Sequence, residues 1–130
     1  MVNWQAILLI YPEINVRYGG NWFTGTKFKA ELTPNEISDA LAAFNEFPAL
    51  ARECSQGEAN VLLTVARMER PLNSLTEMGE GMYWPSPTDT KPELDEFAPP
   101  GKFDSVFVLW PQTNAQTGEN VGRSRRNHDL

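Results

Sequence analysis

The sequence predicts a single α/β domain, with a mostly parallel or mixed sheet of three to five strands and one main amphipathic helix packed on a face. The apolar runs Ala6–Tyr11 and Val106–Trp110 have the length of buried strands, because hydrophobic alternation disappears when neither face meets water. A similar run starts at Asn60, and a capped helix lies between Ala6–Tyr11 and this run. Strand, helix and strand in this order form a βαβ unit, whose crossover is right-handed when the two strands are parallel.

The first predicted strand is Gln5–Tyr11, which ends at Pro12. Because proline has no N–H to donate, any continuation through Ile14 and Val16 is expected at a sheet edge or in a bulge. The segment 18–28 that follows is rich in glycine and aromatic residues, which favours a loop or a short hairpin.

The predicted helix begins with Thr33-Pro34-Asn35-Glu36, the spacing of a capping box. Thr33 can cap the first turn while Glu36 reaches back to the Thr33 amide, and Pro34 occupies a position where a missing N–H costs nothing. The residues that follow place one apolar stripe at helical spacing: Ile37, Ala40, Leu41, Phe44 and Phe47. Pro48 is expected to kink or end this helix.

The remaining elements include the strands Asn60–Met68 and Phe103–Trp110. The second of these is interpreted as the strand covered on both faces, around which the domain is built. Between them, residues 71–101 contain six of the ten prolines, and a long irregular segment in a small domain is usually functional or mobile. Within it, Thr90–Glu93 repeats the capping-box spacing and predicts a short helix. The domain is assigned to residues 1–110, and the polar segment 111–130 is predicted to be a flexible tail.

Composition excludes several classes of protein. The net charge of −6 disfavours nucleic acid as a partner, because an acidic body repels phosphate. Cys54 is the only cysteine and His128 the only histidine, so one chain cannot build an internal disulfide, a histidine-based triad or a two-histidine zinc site. The run Ala6–Tyr11 is too short to cross a membrane. The sequence therefore predicts no membrane partner and no cofactor, and it leaves open a cytoplasmic protein or part of a larger secreted chain.

Acidic residues of the long segment and of its exit form the first candidate site. Asp89 and Asp104 are its most notable members, and the others are Glu77, Glu80, Glu93, Asp95 and Glu96. Two such carboxylates could act as an acid–base pair or bind calcium. The alternatives are that they keep the protein soluble and that Asp104, at the entry of a strand, bonds nearby amides. No catalytic residue and no metal ligand is assigned.

Aromatic residues form the second candidate site. Trp22 lies in the glycine-rich segment, and Tyr83 and Trp84 precede Pro85 in the long segment. Flat rings on loops bounded by proline suit the stacking of a sugar, so these residues predict a carbohydrate-binding surface. The alternative is that Tyr83 and Trp84 fold back and bury their rings against the sheet.

The order of apolar strand, capped helix, apolar strand and long loop, followed by Phe103-Asp104-Ser105-Val106-Phe107-Val108-Leu109-Trp110, resembles the N-terminal α/β lobe of zincin-like metallopeptidases. The resemblance covers residues 5–110 and rests on element order. The His-Glu-x-x-His helix of that family is not present, so no catalytic residue is transferred. The resemblance implies a truncated or divergent non-catalytic module.

Three functional hypotheses follow. The first is a non-catalytic α/β module that positions substrate or supports a catalytic lobe within a larger hydrolase. The alternative is a carbohydrate-binding module that uses Trp22, Tyr83 and Trp84, with polysaccharide as its partner. The third hypothesis is a carboxylate-based hydrolase.

Overall fold

The protein is a single α/β domain built on a three-stranded parallel sheet, as the sequence predicts. The computed structural model describes residues 2–18, 26–79, 82–114 and 120–121. Its elements, in chain order, are β1 (Val2–Ile10), β2 (Glu13–Tyr18), β3 (Thr26–Glu31), α1 (Pro34–Asn45), α2 (Phe47–Cys54), β4 (Ala59–Arg67), β5 (Thr76–Gly79), β6 (Met82–Trp84), α3 (Lys91–Phe97) and β7 (Ser105–Leu109).

The central strand of the sheet is β1, which pairs in parallel with β4 on one side and β7 on the other. Its residues Ala6–Ile10 are all buried, which explains the uninterrupted apolar run. The expectation that Phe103–Trp110 is the strand covered on both faces is wrong, because β7 lies at an edge and leaves Val106 and Phe107 exposed. An apolar run shows that a strand is apolar on both faces, but it does not show how many neighbours that strand has.

Helices α1 and α2 cover one face of the sheet. The capping box of α1 forms as predicted: Thr33 Oγ1 accepts from the Glu36 amide at 3.1 Å, and Glu36 Oε1 accepts from the Thr33 amide at 2.9 Å. The helix ends before Pro48, and α2 begins at once. The rings of Phe44 and Phe47 pack edge-on against Phe107, with centroids 5.7 and 5.9 Å away.

The opposite face holds the main core. Ile7 and Leu9 of β1 pack there with residues from β2 and β3, which form an antiparallel hairpin. The strands of this hairpin start at Glu13 and end at Glu31, so it is longer than the short hairpin expected within 18–28. The second hairpin, β5–β6, and helix α3 pack on the same side.

The path of the chain places α1 and α2 on one face of the sheet and α3 on the other. The β2–β3 hairpin, which belongs to the same connection as α1 and α2, packs on the face of α3. The connection from β1 to β4 moves to one side of the sheet, and the connection from β4 to β7 returns past β1 to the other side. Right-handed crossovers in opposite directions place their helices on opposite faces. Such a reversal leaves a crevice at the carboxyl ends of the strands, where open α/β sheets bind ligands.

The segment after Pro111 differs in part from the predicted flexible tail. Val121 is buried in the core cluster, its amide donates to the Gln112 carbonyl, and its carbonyl accepts from the Tyr83 amide. Asn114 donates to the Lys29 carbonyl at 2.9 Å. Low aliphatic content therefore did not exclude packing, because one valine and a few backbone bonds fix residues 111–114 and 120–121 to the domain.

Candidate functional site

The candidate site lies at the carboxyl ends of β1 and β4. A cavity of about 410 Å3 is lined by Pro12, Glu13 and the segment Arg67–Arg70. An adjoining cavity of about 380 Å3 shares Arg67–Arg70 and reaches Glu93, Glu96 and Phe97 of α3. The crevice is thus open, charged with both signs, and located where the path of the chain predicts a ligand site.

One wall of this crevice is formed by the ion pair of Arg70 and Glu93 together with the hydroxyl of Tyr11. Arg70 Nε donates to Glu93 Oε2 at 2.8 Å and Arg70 Nη2 donates to Glu93 Oε1 at 2.6 Å. Arg70 also donates to the carbonyls of Asp89 and Pro71. The hydroxyl of Tyr11, at the end of β1, donates to Glu93 Oε1. The two-pronged contact ties α3 to the segment after β4 and to the central strand.

The electrostatics of this cluster keep Glu93 ionised. Burial raises the pKa of Glu93, but the hydrogen bonds from Arg70 and Tyr11 and the charge of Arg70 outweigh it, so the pKa lies below its usual value. Burial and the hydrogen bond to Glu93 raise the pKa of Tyr11, so its hydroxyl stays protonated and remains a donor. The bond to Glu93 raises the pKa of Arg70.

Asp89 is the centre of a second buried cluster. Its Oδ2 accepts from the Ser86 amide at 2.8 Å, the Ser86 hydroxyl at 3.0 Å and the Thr76 hydroxyl at 2.8 Å. Its Oδ1 accepts from the Ser74 hydroxyl at 2.6 Å. Burial raises the pKa of Asp89, but these bonds outweigh it and lower the pKa below its usual value. Asp89 therefore holds the start of β5 to the turn that precedes α3.

The sequence prediction for the start of α3 was right about the helix and wrong about its cap. Thr90 makes no side-chain cap; its hydroxyl donates to the Ser86 carbonyl at 3.1 Å. Glu93 does not reach back to the Thr90 amide, because its carboxylate is taken by Arg70 and Tyr11. The capping-box spacing competed here with a buried ion pair, and the ion pair prevailed because a guanidinium makes the stronger, charge-assisted bonds.

The predicted site residues that the structure describes lie in different environments. Trp22 lies outside the described residues. Tyr83 is buried in the core cluster, so its ring offers no face to a ligand, whereas Trp84 is 41% exposed on β6. Asp104 is exposed, and its Oδ2 accepts from the Gln5 amide at 2.8 Å while its own amide donates to the Gln5 carbonyl at 2.7 Å. Asp104 thus extends the pairing of β7 with β1.

Sequence analysis missed the residues that partner the acidic loop. Tyr11 is the last residue of the predicted strand Gln5–Tyr11, and Arg70 comes two residues after the predicted strand Asn60–Met68. The carboxyl ends of parallel strands share one edge. That placement could have predicted their proximity. Ser74, Thr76 and Ser86 had no such indication, because isolated hydroxyl residues in a loop carry no periodic pattern.

The arrangement is chemically suited to holding structure. Among the described residues, every buried side-chain nitrogen and oxygen has a hydrogen-bond partner, and no group of three or more histidine, cysteine, aspartate or glutamate residues could hold a metal ion. A general acid at neutral pH needs a raised carboxyl pKa. The pKa values of Asp89 and Glu93 are shifted in the opposite direction.

No protein-family model matches the chain, and no curated protein or solved structure is significantly similar to it. The fold defines the chain as a single α/β domain with a three-stranded parallel sheet. In the described ranges, none of the helices has the length and apolar character needed to span a bilayer.

Proposed function

We propose that this domain is a non-catalytic α/β module that positions substrate for, or supports, the catalytic lobe of a larger hydrolase. The observation that carries the proposal is the state of the two buried carboxylates. Asp89 and Glu93 are both held ionised and bonded on both oxygens. Carboxylates in that state fix the geometry of a scaffold, whereas a glycosidase-type acid needs a proton to give.

The crevice gives the proposal its substrate-positioning part. Glu13, Arg67 and Glu69 border a cavity of about 410 Å3, which is within the range of ligand sites. The clusters of Asp89 and Glu93 fix the segment behind it. A rigid floor with charged residues at the rim suits the orientation of a polar substrate that a neighbouring lobe attacks.

The resemblance to the N-terminal lobe of zincin-like metallopeptidases supports the association with a hydrolase. The resemblance rests on the order of apolar strand, capped helix, apolar strand and long connection in the sequence, followed by Phe103–Trp110. The connection holds β5, β6 and α3, so it is a structured layer over the sheet rather than an open loop.

Two measurements test the proposal. An antibody raised against the 14.6 kDa domain should recognise, in extracts of the source cells, a larger polypeptide that also carries hydrolytic activity in a gel overlaid with substrate. A native protein of 14.6 kDa with no associated hydrolase would contradict the proposal. The purified domain should turn over no peptide, ester or glycoside substrate above a heat-denatured sample.

Matched variants separate catalysis from contamination in the second measurement. If the purified domain hydrolyses a substrate, the result depends on three variants. Should Asp89→Asn or Glu93→Gln remove the activity while its circular dichroism spectrum stays native, and should Glu96→Gln retain the activity, the carboxylates are catalytic and the module hypothesis is wrong. Glu96 is the suitable control because it lies on the same helix and lines the same cavity.

A carbohydrate-binding module is the second candidate, and the exposed ring of Trp84 favours it. Trp84 lies opposite Thr76 in the β5–β6 hairpin, and Met78 on the same hairpin is also exposed. A tryptophan face beside polar groups is a stacking surface for a sugar. Affinity electrophoresis through several polysaccharides should retard the native chain, and Trp84→Ala should abolish the retardation while Trp4→Ala, equally exposed on β1, leaves it. Equal mobility of the native chain and Trp84→Ala in every gel would remove this candidate.

A further inference from the structure

We infer that the outer edge of β4 pairs with the same edge of a second copy of this chain, which joins two three-stranded sheets into one of six strands. The inference rests on the backbone register of β4, the side chains beside its edge and the charges at its ends. It concerns a surface separate from the crevice network of Arg70, Glu93 and Asp89.

The register of β1 and β4 shows which backbone groups of β4 point outward. The Val2 amide donates to the Glu58 carbonyl, and the Met68 amide donates to the Ile10 carbonyl. Alternate residues of a paired strand bond to the neighbour, so the even-numbered residues of β4 face β1. The N–H and C=O groups of Val61, Leu63 and Val65 therefore point away from the sheet, as does the Ala59 amide, which bonds to Ser55 Oγ instead.

Over residues 59–66 the edge of β4 lacks the charged residues and prolines that normally protect an edge strand, and its one charged residue is Arg67 at the end of the strand. Such edges readily pair with another chain. In the described part of the chain no strand lies beyond β4, and no backbone group bonds to the outer side of Val61, Leu63 or Val65. Leu62 and Val65, on opposite faces of the strand, are 48% and 44% exposed.

Self-pairing about a two-fold axis satisfies this register. An axis perpendicular to the sheet through Leu63 sets two copies of β4 antiparallel, with Leu63 facing Leu63 and Val61 facing Val65 of the second copy. All of these residues point their backbone groups outward, so each facing pair exchanges both hydrogen bonds. The facing side chains are apolar and lie on the same face, so the strand is complementary to itself.

Charge at the ends of the strand fits the same arrangement. With Leu63 at the axis, Arg67 of the second copy faces Ala59, which follows Glu58 and the carboxyl end of α2. A carboxylate and the carboxyl end of a helix both favour a cation, whereas Arg52 in the last turn of α2 adds a charge of the same sign as Arg67. The other edge of the sheet is less open: α1 lies beside β7, since Glu36 and Asp39 line a cavity of about 430 Å3 together with Leu109 and Trp110.

Sedimentation of the full chain tests the inference. The weight-average mass should rise from 14.6 kDa towards twice that value between about 2 and about 300 μM, because a short edge contact predicts a Kd on the order of 10 to 100 μM. Val65→Pro removes an outward donor and should weaken association more than tenfold. Val106→Pro is the matched control, since Val106 is 40% exposed and its amide also points outward, on the opposite edge strand.

Three outcomes would overturn the inference. The weight-average mass of the native chain could stay at 14.6 kDa at every concentration, or it could grow without limit as the concentration rises. The third outcome is an association that Val106→Pro removes and Val65→Pro leaves intact. Unlimited growth would indicate β4 against β7 of the next copy, a contact that does not close. If a proline variant fails to fold, Val65→Lys and Val106→Lys make the same comparison.

Oxidative cross-linking tests the register. In a Cys54→Ser background, Leu63→Cys places two thiols on residues whose Cα atoms lie about 5.5 Å apart, a distance a disulfide can span. Val65→Cys places them about 13 Å apart along the strands. Mild oxidation should therefore cross-link the first variant and not the second, and the reverse result would exclude an axis at Leu63.

Discussion

The ion pair of Arg70 and Glu93 makes the sharpest prediction about stability. Glu93→Gln replaces the carboxylate of this pair with a neutral amide. The Glu93 side chain is only 9% exposed, and the side chain of its partner Arg70 is 29% exposed. Removal of one partner of a fully buried pair costs about 3–5 kcal/mol. Because water still reaches Arg70, we expect a smaller loss of about 2–3 kcal/mol in the free energy of unfolding.

The measurement is urea denaturation at pH 7, followed by circular dichroism. With a slope of about 1.4 kcal/mol per molar urea, the midpoint should fall by about 1.5–2 M. Asp95→Asn is the control on the same helix: its partner Lys91 lies 3.1 Å away, but the two side chains are 70% and 60% exposed, so the loss should stay below about 0.5 kcal/mol. Equal midpoints for the two variants would refute the view that Glu93 ties α3 to the sheet.

Three further predictions concern the same clusters and the first helix. Asp89→Asn should lower the free energy of unfolding by about 2 kcal/mol, because an amide donor replaces an oxygen that only accepts. The pKa values of Asp89 and Glu93 are lowered in the folded state, so the native protein should lose stability as the pH falls below about 4.5. The double variant Asp89→Asn with Glu93→Gln should lose less stability over the same pH range. The folded pKa of Tyr11 is raised above 10, so stability should fall as the pH rises above about 10, and Tyr11→Phe should flatten that decline in alkaline urea titrations. Thr33→Ala removes the capping box and should cost about 1 kcal/mol by thermal unfolding, whereas Thr33→Ser should cost little.

Local features of the fold were predictable because they depend on residues that are close together in the sequence. The start of α1 at Pro34 follows from four consecutive residues whose bonds form as expected. The apolar runs located β1, β4 and β7 to within a few residues. A short continuous apolar run that is bounded by turn residues is typical of a strand in a parallel sheet. The order of strand, helix and strand indicated a βαβ unit, and the structure pairs β1 with β4 in parallel.

What escaped prediction depends on contacts between distant parts of the chain. β1 and β7 have similar apolar runs, and only the path of the chain decides which is central. Tyr11 and Glu93 are 82 residues apart in sequence, so their contact leaves no periodic trace. The sequence is compatible with Tyr83 as a ligand-binding ring and as a core residue, and its burial fits the second interpretation.

Two parts of the molecule thus differ in how their polar groups are satisfied. On one side of the crevice, both oxygens of Asp89 and both oxygens of Glu93 already accept hydrogen bonds, which holds that region in place without a partner chain. At the edge of β4 the opposite holds, because the outward backbone groups of Val61, Leu63 and Val65 lack protein partners among the described residues. Water can form hydrogen bonds with those backbone groups, but it cannot bury the apolar side chains of Leu62 and Val65. A partner strand does both, and for that reason association is expected at this edge and not at the acidic loop.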